Sequence, residues 1–112
     1  MQTTIKVRGY HLDVYQHVNN ARYLEFLEEA RWQWLEDVDA FHWLMDKKLA
    51  FVVVNININY RRPAVLGDVL PIESEVSQLN GQSGIISQRV LLATDNTVVA
   101  AAASTFVSTA LR

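Results

Sequence analysis

The 112-residue sequence contains no cysteine. This absence excludes disulfide bonds, metal sites with thiolate ligands and a cysteine nucleophile. It also suits the reducing conditions of the cytoplasm, where we expect the protein to be located. The functional chemistry of the chain must therefore come from other residue types.

The chain also lacks long apolar runs and an excess of positive charge. Segments such as residues 49–54 are far too short to cross a bilayer, and residues 1–6 do not contain the apolar stretch of a signal peptide. With a formal net charge of −2 at pH 7, no basic face outweighs the acidic residues. We therefore expect no binding to nucleic acid or to membranes, and any anionic ligand must be held locally.

The composition predicts one compact globular domain that comprises residues 1–112. Hydrophobic residues make up 50% and charged residues 20% of the chain, which is enough to form a real core. We find no internal repeat, linker or low-complexity tract. The hydrophobic pattern predicts the order β-α-β-β-β-β, with a short second helix after the first.

A first strand and two helices are predicted in the N-terminal half. Residues 3–10 alternate between apolar and polar side chains, and residues 40–48 indicate the short second helix. Between them, apolar residues recur at helical spacing from Asn20 to about Val38. They are Tyr23, Leu24, Leu27, Ala30, Trp34, Leu35 and Val38. Phe26 and Trp32 widen this surface, which predicts a long helix largely enclosed by other structure.

The clearest strand runs from residue 50 to 62, where Pro63 ends it because proline lacks a backbone donor. Apolar and asparagine side chains alternate along it, as expected for the two faces of a strand. The predicted apolar face consists of Val52, Val54, Ile56, Ile58 and Tyr60. The opposite face consists of Asn55, Asn57 and Asn59.

Three more strands follow. Residues 68–79 and 82–94 are joined across Asn80-Gly81, a pair that suits the positive φ angles of a type I′ hairpin turn. Residues 97–109 are apolar on both faces, which is typical of a central strand.

The segment Asp13-Val14-Tyr15-Gln16-His17-Val18-Asn19-Asn20-Ala21-Arg22-Tyr23 carries most of the functional information. It places a carboxylate seven residues before the predicted helix start, where Asn19 or Asn20 can act as the N-cap. The free N–H groups and the positive dipole end of a helix N-terminus attract a developing oxyanion. A nucleophile or a base can therefore face an oxyanion site here.

This segment resembles the Asp-x-x-(Gly)-His-(Val/Met)-Asn-Asn-x-x-Tyr motif of hotdog-fold acyl-CoA thioesterases in the 4-hydroxybenzoyl-CoA thioesterase-like group. Residues 7–13 and 55–64 are also similar to the bacterial long-chain members of that group, of the thioesterase III type. The resemblance implies an α+β hotdog fold, in which a curved antiparallel sheet of about five strands wraps a long central helix. It also implies hydrolysis of medium-to-long-chain fatty acyl-CoA to free fatty acid and coenzyme A.

Two departures from the family pattern stand out. Gln16 occupies a motif position that often carries glycine, and it adds a side chain where the backbone approaches closely. Members of the family usually continue beyond the position that corresponds to Arg112. We therefore expect either a shortened form or a missing terminal cap, with an effect on the stability and ligand coverage of one edge.

Asp13 is the candidate catalytic residue. Taken alone, a loop aspartate most often forms a turn by bonding nearby backbone N–H groups. With the motif, we expect Asp13 to attack the thioester carbonyl or to activate water for that attack, and the sequence leaves both routes open. The backbone N–H of Asn20, at the helix start, is the candidate oxyanion donor.

Tyr15 and His17 complete the predicted catalytic loop. Tyr15 is expected either to orient the acyl group or water, or simply to pack within the loop. His17, as a neutral imidazole, is expected to orient the loop through hydrogen bonds rather than to transfer protons. Because His11 and His17 have no convincing third ligand nearby and His42 lies in another helix, we expect no metal and no cofactor.

The substrate is expected to bind between protomers. The resemblance places the acyl thioester in a tunnel between two copies, with the strand that carries Asn57 and Asn59 supplied by the partner; a solvent-exposed strand face explains these asparagines equally well. One of the adjacent Arg61 and Arg62 is expected to contact a coenzyme A phosphate. Pairing of exposed sheet edges predicts a homodimer, or a homotetramer built as a dimer of dimers.

Other assignments remain open from the sequence. An aromatic and aliphatic stripe in the short helix, Phe41, Trp43, Leu44 and Met45, suits either an acyl pocket or ordinary core. A non-catalytic acyl-thioester-binding module would keep the fold without releasing thiol. A hydroxyacyl-thioester dehydratase would give an enoyl thioester, but it requires a catalytic histidine paired with a carboxylate in a pattern that the sequence does not show.

Overall fold

A computed structural model describes residues 2–111 as five strands and two α-helices. The elements are β1 (Gln2–Lys6), α1 (Asn20–Asp37), α2 (Ala40–Asp46), β2 (Leu49–Tyr60), β3 (Val69–Asn80), β4 (Ser83–Leu91) and β5 (Val98–Ala110). A single 3₁₀ turn at Gly9–His11 lies between β1 and α1. In the part of the chain that the structure describes, no helix has the length and apolar character needed to span a bilayer.

The strands form one antiparallel sheet in the order β1-β3-β4-β5-β2. Helix α1 packs on one face of this sheet, and the buried side chains between them form the core. The central members are Phe26, Leu27, Ala30, Leu70, Ile72, Val90 and Val99. This is the hotdog architecture that the resemblance implies, and the prediction of β5 as an internal strand is confirmed.

The long helix was predicted to be largely enclosed, and within the protomer this is wrong. Only the face that carries Tyr23, Phe26, Leu27 and Ala30 is buried, because the sheet covers α1 from one side. The exposed fractions of Leu24, Trp32 and Val38 are 40%, 43% and 55%. Apolar surface therefore remains uncovered along the opposite side of the helix.

The predicted faces of β2 are corrected by an irregularity in its pairing with β5. The register shifts between Val53 and Asn55, so the alternation of faces restarts after the bulge. Val53 lies opposite the buried Phe106 and Ile58 lies opposite the buried Ala102, which places both on the face toward α1. Val52 therefore does not share a face with Ile56, Ile58 and Tyr60, as the uninterrupted alternation predicted.

The hairpin between β3 and β4 also differs from the prediction. Asn80 pairs with Ser83, so the two central turn residues are Gly81 and Gln82 rather than Asn80 and Gly81. Of these, only Gly81 has a positive φ, +60°. One positive φ at the first central position fits a type II′ turn, whereas type I′ requires two.

Three predicted ends move by a few residues for local reasons. Strand β1 stops at Lys6 because the chain enters the 3₁₀ turn, where the Arg8 N–H donates to Nδ1 of His11 at 2.9 Å. Helix α2 stops at Asp46 before Lys48, whose φ is +54°. Strand β4 stops at Leu91 because the Asn96 N–H turns back to the Leu92 carbonyl at 2.8 Å.

Candidate functional site

The loop that contains Asp13 is a closed turn held by main-chain bonds. The Asp13 N–H donates to the His17 carbonyl at 2.8 Å, and the Gln16 N–H donates to the Asp13 carbonyl at 3.0 Å. Leu12 and Val18 form an isolated antiparallel bridge across its base. The loop is therefore a small hairpin with a fixed shape.

The Asp13 side chain is itself part of this turn. Its Oδ1 accepts from the Tyr15 N–H at 2.8 Å and from the His17 N–H at 3.3 Å, the pattern of a turn aspartate. Its Oδ2 makes no hydrogen bond to any of residues 2–111. The turn thus fixes one carboxylate oxygen and leaves the other available to react with a ligand.

The N-terminus of α1 begins directly after this loop. Asn19 is the N-cap, and its side-chain oxygen accepts from the Ala21 N–H at 2.9 Å. The Arg22 N–H donates to the Asn19 carbonyl at 2.9 Å. Within the described chain, the Asn20 N–H has no acceptor, so it is the amide of the first turn left to receive an anion.

The structure places Tyr15 and His17 on the outside of the loop. Tyr15 has an exposed fraction of 77%, so little of its side chain is covered within its own protomer. The His17 imidazole makes no hydrogen bond with the described residues, whereas its backbone N–H and carbonyl both bond to Asp13. Within the protomer the main chain of His17 closes the loop, and the role expected of its imidazole stays a prediction.

His11 has the structural role that was expected of His17. Its ring packs edge-on against Phe26 at a centroid distance of 4.9 Å, and its carbonyl accepts from the Asn19 N–H at 2.9 Å. Burial, and then the nearby Arg22, lower the pKa of His11. A neutral ring suits the hydrogen bond that its Nδ1 accepts from Arg8.

The segment after β2 supports the helix start from the other side. The Tyr60 hydroxyl donates to the Asn20 carbonyl at 3.3 Å, and the Ala64 carbonyl accepts from the Val18 N–H at 2.9 Å. The Tyr23 ring lies 5.6 Å from that of Tyr60, and burial raises the pKa of Tyr23 to about 12. The sequence pattern did not reveal these contacts, because they join residues about forty positions apart.

The candidate substrate-binding asparagines lie on the sheet face away from α1. Asn57 pairs with Ala103 and Asn59 with Ala101, and both asparagines are exposed. The side chains of Asn57 and Asn59 make no hydrogen bond with the described residues. Within one protomer the structure therefore does not bring them together with Asp13.

The two arginines after β2 differ in their surroundings. Arg62 donates to Thr97 Oγ1 at 2.5 Å and lies 3.4 Å from Asp95 Oδ2, so it is engaged with the β4–β5 connection. Hydrogen bonds from Thr97, and then the Arg62 charge, lower the pKa of Asp95. The Arg61 side chain is exposed and forms no ion pair within residues 2–111, so Arg61 is the better placed of the two to meet a phosphate.

A cavity of about 500 Å³ lies between the C-terminal half of α1, α2 and the start of β2. Phe41, Leu44 and Met45 line it, together with Phe51 and Phe106, whereas Trp43 does not. The cavity is predominantly apolar, and its size suits a long aliphatic chain. The stripe in the short helix thus contributes to a cavity wall rather than to ordinary core alone.

Gln16 offers a direct test of the loop geometry. Its φ is +65°, a left-handed conformation that β-branched residues adopt only at high cost. We expect Gln16→Val to reduce the free energy of unfolding by about 1–3 kcal/mol. Gln16→Gly should remain within about 1 kcal/mol of the native protein, because relief of strain offsets the added freedom of the unfolded chain.

Urea unfolding of both Gln16 variants at one protein concentration measures the difference. A valine variant as stable as the glycine variant would show that this loop does not hold the left-handed conformation.

Known proteins resemble this chain in sequence and in fold. A family model described as "Thioesterase-like superfamily" matches residues 7–112. The chain is 69% identical over 107 residues to the long-chain acyl-CoA thioesterase FadM of Escherichia coli strain K12. The aligned residues make up 96% of this chain and 81% of the relative. The chain is 38% identical over 76 residues to the acyl-CoA thioesterase YbgC of Haemophilus influenzae, covering 66% and 56% of the two chains.

Among solved structures, the probable thioesterase YbaW from Escherichia coli superposes with a TM-score of 0.94 at 67% sequence identity. The match covers 100% of this chain and 84% of that one. The family model covers nearly the whole chain, FadM is similar to it in sequence, and YbaW is similar in both sequence and fold. This chain belongs to the thioesterase-like superfamily.

Proposed function

We propose that the protein hydrolyses medium-to-long-chain fatty acyl-CoA to free fatty acid and coenzyme A, with Asp13 as nucleophile or general base. The observation that carries the proposal is the position of Asp13 in a closed turn directly before α1, where the Asn20 N–H has no acceptor among residues 2–111. The relatives FadM, a long-chain acyl-CoA thioesterase, and YbgC, an acyl-CoA thioesterase, support the same substrate class.

Either route balances with this set of groups. As a nucleophile, the free Asp13 oxygen attacks the thioester carbon, the C–S bond breaks, thiolate leaves, and water then hydrolyses the resulting anhydride. As a general base, Asp13 takes a proton from water while that water attacks the same carbon; the C–S bond then breaks, thiolate leaves, and Asp13 gives up the proton to it or to solvent. In both routes the carbonyl oxygen gains negative charge, and the Asn20 N–H with the positive end of the α1 dipole stabilises it.

The remaining groups suggest how coenzyme A and the acyl chain are held. Arg61, whose guanidinium forms no ion pair with the described residues, is the proposed phosphate contact, since Arg62 is already bonded to Thr97 and Asp95. The apolar cavity beside α2 is the proposed acyl pocket. Asn57 and Asn59 face away from the Asp13 of their own protomer, so any contact with substrate requires a second copy.

A second copy of the chain is the proposed partner. Strand β2 is an edge strand of twelve residues, and Phe51, Val52 and Val54 along it have exposed fractions of 47%, 42% and 57%. Long apolar edges of this kind pair with another strand. Tyr10, Val14 and Tyr15, each more than 70% exposed around the Asp13 loop, also suit an interface.

We therefore expect the protein to be at least a dimer in solution and to lose activity when it dissociates. Light scattering across a dilution series gives the mass, and thiol release at each concentration gives the specific activity. Specific activity should fall in parallel with the dimer fraction. A monomer with full activity would show that one protomer holds a complete site.

The test of the activity itself is thiol release from a series of acyl-CoA chain lengths, with product analysis by mass spectrometry. Free coenzyme A and fatty acid in equal amounts support hydrolysis. An enoyl thioester without free thiol would indicate a dehydratase, and tight binding without either product would indicate a binding module. The chain length with the highest kcat/KM identifies the preferred substrate.

A further inference from the structure

Arg31 is a charged side chain in the wall of the apolar cavity. It lies on the C-terminal half of α1, is half-buried, and lines the cavity together with Trp32, Trp34 and Leu35. It belongs to none of the ion pairs formed within residues 2–111, although Glu28 on the same helix also borders the cavity. Burial of the guanidinium lowers the pKa of Arg31, and the charge of Glu28 partly opposes this effect.

The orientation of Arg31 is set by Gln88, which is only 1% exposed. The Gln88 amide donates to the Leu27 carbonyl and to Ser74 Oγ, each at 3.0 Å, and both donor hydrogens are thereby used. Its carbonyl oxygen accepts from Arg31 Nη1 at 3.2 Å. One N–H of the guanidinium is therefore fixed, and no other hydrogen bond within the described chain engages the remaining N–H groups.

A polar group on the inner face of the sheet, near the cavity, lacks a partner. The Ser104 side chain is fully buried, and its Oγ has no hydrogen-bond partner within residues 2–111. Ser104 pairs with Ile86 on β4, and Phe106 is the next residue of β5 on the same face. Ile86 and Phe106 both line the cavity. Unsatisfied buried polar groups are costly, but Ser104 is not itself in the cavity wall, so the polar contact open to a ligand there is the Arg31 guanidinium.

We propose that this cavity binds a free long-chain carboxylic acid head-first, with its carboxylate on the guanidinium of Arg31 and its chain along the apolar walls. A planar guanidinium matches a carboxylate through two parallel hydrogen bonds, whereas a neutral alcohol can form only one. The ligand combines the two features of the cavity, an aliphatic body and one anionic head. The proposed function supplies such a ligand as its product, and the inference rests on that function only for the ligand's source.

The site is distinct in position from the proposed site of thioester cleavage. Arg31 lies eleven residues after Asn20, which is roughly 16 Å along the helix axis. A carboxylate on Arg31 therefore does not lie where the scissile carbonyl lies. The bound acid runs through the cavity in the direction opposite to that of a substrate's acyl chain. The bound acid would occupy the proposed acyl pocket and compete with the next substrate.

The test measures binding of dodecanoate and dodecanol, below micelle-forming concentrations, through the fluorescence of Trp32 and Trp34 in the cavity wall. We expect the native protein to bind dodecanoate at least about tenfold more tightly than dodecanol. Arg31→Met should remove this preference while changing dodecanol affinity less than twofold. Arg31→Lys, which keeps the charge without the planar fork, should give an intermediate preference.

Arg22→Met is the matched control, because Arg22 lies on the same helix, pairs with Glu25 and does not line the cavity. It should leave both affinities unchanged. Equal affinity of the native protein for dodecanoate and dodecanol would overturn the proposal, and this measurement needs no variant. An undiminished preference for dodecanoate in Arg31→Met would overturn it as well. Thiol release from acyl-CoA is measured on the same native protein. A preference for dodecanoate without thiol release would refute the proposed function and leave this inference standing, whereas thiol release without the preference would do the reverse.

Discussion

Replacing Asp13 by Asn is expected to lower kcat for acyl-CoA hydrolysis by about 10³-fold or more, with little change in the fold. The amide cannot attack the thioester or accept a proton from water, and removal of a positioned base alone costs roughly 10²–10⁴-fold. Its side-chain oxygen can still accept the hydrogen bonds from Tyr15 and His17 that close the turn. Initial rates of thiol release at saturating substrate measure the effect.

Two further variants separate chemistry from structure. Asp13→Ala removes the turn acceptor as well, so it should be about as inactive as Asp13→Asn but less stable by about 1 kcal/mol. Asp46→Asn removes an exposed carboxylate at the end of α2 and should leave the rate unchanged. An Asp13→Asn enzyme that retains a tenth or more of native kcat would refute Asp13 as nucleophile or base.

The sequence was sufficient to predict the order of strands and helices along the chain, the long helix and the loop that holds Asp13. These features depend on short-range patterns, such as alternation along β1, the continuous apolar run of β5, helical spacing from Asn20 and a capping asparagine before it. A bulge at Val54 adds one residue without any compositional signal, so the predicted faces of β2 were wrong before it. Periodicity alone could not reveal this shift.

The supporting contacts of the site could not be predicted because they join distant residues. Tyr60 reaches Asn20, and Gln88 connects Leu27 to Arg31 across the core. Each residue type has many ordinary roles, so neither tyrosine nor glutamine indicated its partner. His17 matched the family motif, but His11 has the structural contacts, and only packing against Phe26 distinguishes the two.

Phe26 connects the core to the candidate site, and its replacement by Ala is expected to cost about 3–5 kcal/mol in the free energy of unfolding. Its side chain is 4% exposed within the main core cluster, so truncation leaves a cavity that the sheet and helix cannot fill. Leu24→Ala, on the exposed side of the same helix, should cost about 1 kcal/mol or less. Urea unfolding at one protein concentration compares them, since assembly makes the midpoint concentration-dependent.

Phe26→Ala is also expected to reduce kcat several-fold at a temperature where the variant remains folded. Phe26 packs edge-on against the rings of His11 and Tyr23, at centroid distances of 4.9 and 5.8 Å. His11 in turn accepts the Asn19 N–H, so a loosened His11 shifts the N-cap and the Asn20 amide relative to Asp13. Displacements of this kind weaken oxyanion stabilisation because it depends on fixed geometry. A Phe26→Ala protein with native kcat and reduced stability would show that the core supports the fold without positioning the site.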